Sequence, residues 1–154
     1  MIGKKEIKEF YTNKKIAVVG ASRSRIKYGN MLFEELRKKG FDVVPVNPSA
    51  SEINGVKAYP ALNDIPGGIK AAIAVVPPSE QEKVAADAAS AGLEKLWIHE
   101  HIMKGISNTK AIAICENNSV ICITGFCPMM FIPGSGMPHN IHKAIIGLFG
   151  ALPK

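Results

Sequence analysis

The chain has 154 residues, 47% of them apolar and 21% charged. This is the length of one domain and the composition of a folded globular protein, which excludes a disordered chain. Nineteen Lys and Arg against 13 Asp and Glu leave a formal net charge of +6, an excess that favours anionic partners. The basic residues are scattered and the aromatic content is only 6%, so no nucleic-acid-binding stripe is expected.

Cys115, Cys122 and Cys127 are odd in number and spaced seven and five apart. That spacing fits neither a zinc site nor a disulfide framework, and a reducing cytoplasm is the natural compartment. Residues 1–13 are charged throughout and lack an apolar core, so no secretory leader is expected. No window reaches the roughly 18 apolar residues that would span a bilayer.

Residues 1–11 read as a short amphipathic helix on the domain edge, carrying Ile2, Ile7, Phe10 and Tyr11. Residues 15–20 (KIAVVG) form a β-branched apolar run, predicted as a buried parallel strand. Residues 29–39 are predicted helical and end at Gly40, and residues 42–46 (DVVPV) are the second strand despite Pro45. A loop-rich stretch follows, with a short helix or turn around 59–65. Residues 71–76 (AAIAVV) are the third strand, stopped by Pro77 and Pro78. Ser79 and Glu82 read as a capping box opening a helix to about residue 91. Residues 95–99 are the fourth strand, 108–117 a helix, 119–124 the fifth strand, and about 139–150 a terminal helix. The alternation predicts an α/β fold: a Rossmann-like, doubly wound, five-stranded parallel sheet in a single domain, with strand order 3-2-1-4-5.

In such sheets ligands bind beyond the carboxyl ends of the strands. The most informative segment there is Gly20-Ala21-Ser22-Arg23, directly after the first strand, with Gly29 and Asn30 opening the next helix. Gly20 permits a tight turn, and the small Ala21 and Ser22 let backbone approach a ligand. Helix-start amides then favour an anion, and Arg23, Arg25 and Lys27 add three cations. The plain alternative is a strand-to-helix turn with solvated charges. The segment is not the dinucleotide fingerprint, since only the first glycine of G-x-G-x-x-G is present and no acid follows the second strand. It is not a P-loop either.

Six segments in order carry a family resemblance: VVGAS (18–22), PVNP (45–48), GVKAYPAL (55–62), VVPP (75–78), LWIHEHI (96–102) and Cys127-Pro128. Together they resemble the small stand-alone CoA-binding domain proteins, which are similar to the N-terminal domain of the succinyl-CoA synthetase α-subunit. The resemblance implies a coenzyme A site. Gly20 to Arg23 would hold the pyrophosphate, Asn47 and Pro48 would border the adenosine or its 3′-phosphate, and Val76, Pro77, Pro78 and Ser79 would line the adenine or pantetheine side. The domain that carries the synthetase's phosphorylated histidine has no counterpart here, so binding of CoA or acyl-CoA without catalysis is expected. The alternatives are an NAD(H)-binding redox sensor and a subunit of an acyl-CoA synthetase-type enzyme that needs a partner chain.

His99 reads as a polar rim to the cleft. His99-Glu100-His101 and the His139/His142 pair do not match a zinc motif, and no metal is expected. No nucleophile elbow occurs. Cys127 falls on the ligand side, where it would lie near the CoA thiol or simply end a strand. Cys115, Cys122 and Trp97 read as core. The apolar face of Ile141, Ala144, Ile145, Leu148 and Phe149 is expected to pack on its own domain, or else to form a homodimer contact.

Overall fold

Alternate residues of each strand feed two separate cores, one on either face of a parallel sheet. The computed structural model describes residues 3–99 and 108–135. The long strands are β1 (Lys15–Val19), β2 (Asp42–Val46), β5 (Ala71–Ala74), β6 (Lys95–Ile98) and β7 (Ile121–Ile123). Between β2 and β5 lies a small antiparallel hairpin, β3 (Glu52–Ile53) and β4 (Val56–Lys57). Asn54 and Gly55 both take positive φ at its tip, the backbone that an Asn-Gly hairpin turn requires. The helices are α1 (Lys4–Phe10), α2 (Tyr28–Lys38), α3 (Pro78–Ser90) and α4 (Thr109–Asn117). Single 3₁₀ turns occupy Leu62–Asp64 and Pro128–Phe131.

The sheet is parallel and runs β2-β1-β5-β6-β7. Counting only its five strands, the order is 2-1-3-4-5, which corrects the expected 3-2-1-4-5. Pro45 gives the reason. A proline has no N–H for a second neighbour, which confines its strand to an edge. The free side of β2 is closed instead by Tyr59, whose N–H donates to the Pro45 carbonyl (3.0 Å) while its own carbonyl accepts from Asn47 N–H (2.9 Å). The third strand therefore pairs on the other side of β1.

On one face Ile16, Val18, Ile73, Trp97 and Ile123 pack under α1 and α2. On the other Ala17, Ala72, Ala74, Leu96 and Cys122 pack under α3 and α4. Seven residues are too few to hold α1 as an isolated helix. Its Phe10 meets Trp97 edge-on at 5.4 Å, a contact of about 1 kcal/mol beyond area burial. The helix thus covers a sheet face rather than the domain edge. Trp97 is fully buried and donates its indole N–H to the Phe126 carbonyl (3.0 Å).

Helix α3 begins at Pro78, with Pro77 as its N-cap and no side-chain cap. The expected Ser79–Glu82 capping box is therefore not formed. A proline at the first helical position already fits the fixed φ and loses no bonded amide. Asn108 does cap α4, its Oδ1 accepting from the Ala111 amide (3.1 Å). Among the described residues no helix is long and apolar enough to cross a membrane. The expected terminal helix lies outside the described residues.

Candidate functional site

The carboxyl ends of four neighbouring strands are tied together backbone to backbone. Gly20 N–H donates to the Val46 carbonyl (3.0 Å), Val75 N–H to Val19 (2.7 Å) and His99 N–H to Ala74 (2.9 Å). Strand order reverses between β1 and β5, so the crevice of this fold opens there. Gly20 has φ +88°, and a Cβ on it would overlap the Val75 carbonyl and crowd Val76. A Cβ on Gly29 would overlap the Gly20 carbonyl. The two glycines thus seat the start of α2 directly on the turn after β1, and the role of Gly29 is this close approach.

Two asparagines fix the loop between them. Buried Asn30 donates its Nδ2 to the Ser22 carbonyl (2.5 Å), and Asn47 donates its Nδ2 to the Ala21 carbonyl (2.8 Å). Ser22 Oγ accepts from the Ser24 amide (3.1 Å), and Asn47 Oδ1 accepts from the Ser49 amide (2.7 Å). No described residue takes the amides of Ala21, Ser22 and Arg23. The loop carbonyls are held by two asparagine side chains, and the amides of half-buried Ser22 and exposed Arg23 have no acceptor among the described residues.

The electrostatics of α2 are unusual. The positive pole of a helix is normally met by an acid or a cap. Helix α1 has Glu6 in its first turn and α3 has Glu80. Helix α2 has no acid there and no side-chain cap, and its N-cap is Lys27. Arg23, Arg25 and Lys27 are exposed, and none forms an ion pair with a described residue. Like charge is gathered at a positive helix end, an arrangement that an anion would relieve.

Pro48 is exposed beside this loop on the β2 side, and half-buried Val76 with exposed Pro77, Pro78 and Ser79 flanks it on the β5 side. His99 lies farther along the same edge, its ring stacked on Tyr28 with centroids 4.0 Å apart and planes 7° apart. The Tyr28 hydroxyl meets the Cys127 thiol at 3.2 Å. Burial, with that thiol beside it, pushes the Tyr28 phenol far above its ordinary pKa. The predicted residues therefore gather along one edge. Sequence reasoning missed Tyr28, because its partners lie 71 and 99 residues away in the chain. It also missed Ile26, 88% exposed between Arg25 and Lys27. Cys115 and Cys122 are buried as expected, and a hydrogen bond from Cys122 lowers the Cys115 thiol pKa. Among the described residues no group of three His, Cys, Asp or Glu side chains is placed to hold a metal. Glu100, His101, His139 and His142 lie outside them.

The family model described as "CoA binding domain" matches residues 14–133. The chain belongs to that family. An ADP-forming acetate–CoA ligase from Archaeoglobus fulgidus is 35% identical over 91 residues, 58% of this chain but only 14% of the ligase. A hypothetical protein from Pyrococcus horikoshii superposes with a TM-score of 0.75 at 29% identity, covering 83% of this chain and 88% of that one. A dinucleotide-forming acetyl-coenzyme A synthetase from Ca. Korarchaeum cryptofilum gives a TM-score of 0.65 at 27% identity, over 71% of this chain and 25% of the synthetase. This CoA-binding domain thus corresponds to a small part of those enzymes and to nearly all of the Pyrococcus protein.

Proposed function

We propose that this domain binds coenzyme A or acyl-CoA along the carboxyl edge of its sheet and performs no catalytic step of its own. The observation that supports this best is the start of α2, a helix pole left without an acid and surrounded by Arg23, Arg25 and Lys27. A pyrophosphate suits that pole, because amides and guanidinium groups both donate to phosphate oxygens. Strands β2 and β5 flank β1 on opposite sides. A ligand centred on the β1–α2 loop therefore extends its adenosine over Asn47 and Pro48 and its pantetheine arm over Val76 to Ser79, towards His99. Coenzyme A supplies the chemistry of its thiol when bound, while this chain's residues hold the phosphates and orient the arm. Asn47, where an NAD site would carry an acid for the ribose, disfavours the NAD(H) reading.

Isothermal calorimetry with CoA and with dephospho-CoA tests the assignment. CoA is expected to bind, and dephospho-CoA more weakly for want of the 3′-phosphate. Absence of binding by both at high protein concentration refutes it. A second reading, a subunit serving a separate synthetase-like chain, draws on the small share of the ligase that this domain matches. Co-purification of such a chain would favour it.

A further inference from the structure

The first turn of α3 buries a polar side chain where the helix otherwise keeps apolar ones. Gln81, Val84, Ala85 and Ala88 are its buried residues, a stripe at i, i+3, i+4 and i+7. Val84, Ala85 and Ala88 join the core formed with Ala72, Ala74, Leu96 and Ile98. Gln81 tops this stripe one turn nearer the carboxyl edge. It is 2% exposed, and its Oε1 has no hydrogen-bond partner among the described residues. Such an orphaned acceptor is destabilising compared with an apolar side chain of the same size. Helical side chains lean towards the helix N-terminus. For α3 that end is Pro77 and Pro78, at the mouth of the β1/β5 crevice. A side chain on the sheet-facing stripe that leans this way runs towards the cleft.

We propose that Gln81 reads the pantetheine arm of the ligand, its carboxamide pairing with a secondary amide of that arm. This rests on the coenzyme A reading above. With the pyrophosphate at the β1–α2 loop and the adenosine over β2, it is the pantetheine that passes over β5 and along the first turn of α3. A glutamine carries acceptor and donor side by side, which matches the acceptor and donor of a secondary amide. Gln81 is thus a positioning residue that the unliganded domain holds at a cost to its own stability.

Gln81→Leu removes the polar atoms at nearly constant volume. The unliganded variant is expected to melt no lower than the parent, because the orphaned acceptor is gone. Its affinity for CoA by calorimetry should fall about five- to tenfold. Its affinity for 3′-phospho-ADP, which has the adenosine and pyrophosphate without the arm, should not change. Should the leucine variant fail to fold, Gln81→Met carries the same comparison. Equal losses for both ligands would place Gln81 on the adenine and overturn the proposal. Unchanged CoA affinity would overturn it and leave the coenzyme A reading standing. A parent protein that binds neither ligand would overturn that reading itself.

Discussion

The two ends of the sheet carry similar residues and put them to different use. The amino end has an open hollow of about 520 Å³ lined by Asn13, Lys14, Lys15, Gly67, Gly68, Ile69, Lys70, Ala91 and Gly92. By composition it resembles an anion site as closely as the carboxyl end does. Yet Lys15 donates to the carbonyls of Pro66 and Gly68 (both 3.5 Å), and Lys70 faces Glu94 at 3.5 Å. The helix terminus there is the C-terminal one of α3, whose partial charge is negative. At the carboxyl end the helix pole is positive, the cations near it have no acidic partners among the described residues, and the loop carbonyls are held by Asn30 and Asn47. Lysines and glycines around a hollow do not make a phosphate site unless the backbone dipoles agree with them.

The largest effect should come from a glycine at each end. Gly20 and Gly67 both have positive φ. Only at Gly20 does another backbone segment occupy the space of a Cβ, whereas nothing lies within 4 Å of one on Gly67. Gly20→Val should cost on the order of 4 kcal/mol, from strain and a forced separation of β1 from Val75. Gly67→Ala should cost only about 1–2 kcal/mol, the left-handed penalty alone. Denaturant unfolding at constant m-value measures both. Equal costs would show that the close approach at Gly20 contributes nothing.

Burial of titratable groups sharpens the contrast next. Burial pushes the Tyr11 and Tyr28 phenols well above their ordinary pKa of 10.0, with Cys127 as a lesser cause. The folded chain keeps both protons after the unfolded chain has begun to lose them. Stability is therefore fully present below about pH 10 and falls as pH rises beyond it, by about 1.4 kcal/mol per pH unit for each tyrosine. Tyr28→Phe should remove one tyrosine's share of that slope. Urea titrations between pH 9 and 11 would show it, and an unaltered slope would mean that Tyr28 ionises freely in the folded protein.

Much of this was legible in the sequence because it is local. KIAVVG followed by small residues and cations marks β1, its turn and the positive start of α2 within a dozen positions. The sheet order was not read correctly, although Pro45 carried the information: it makes β2 an edge strand. Asn54-Gly55 likewise announced a hairpin inside a stretch read as loop. The cluster of Tyr28, His99 and Cys127 is set by strand order and by the turn at Pro128–Phe131, and no local pattern encodes it. The orphaned acceptor of Gln81 was equally hidden, since its burial depends on how α3 lies on the sheet.

The smallest effect bears most directly on the contrast between the two ends. Arg23→Ala removes one exposed cation beside the positive pole of α2. CoA affinity should fall several-fold, about 1 kcal/mol, and the melting temperature should hold, because an exposed side chain with no ion pair among the described residues contributes little to the fold. The loss should shrink as salt is raised, since it is an exposed electrostatic term. Lys15→Ala at the opposite end should reverse this pattern. It releases two carbonyl contacts and lowers stability slightly, with CoA affinity unchanged. Calorimetry and thermal melts on the pair separate the ends in one experiment. If Lys15→Ala weakens CoA binding and Arg23→Ala does not, the site belongs at the amino end and the helix poles do not decide where the anion binds.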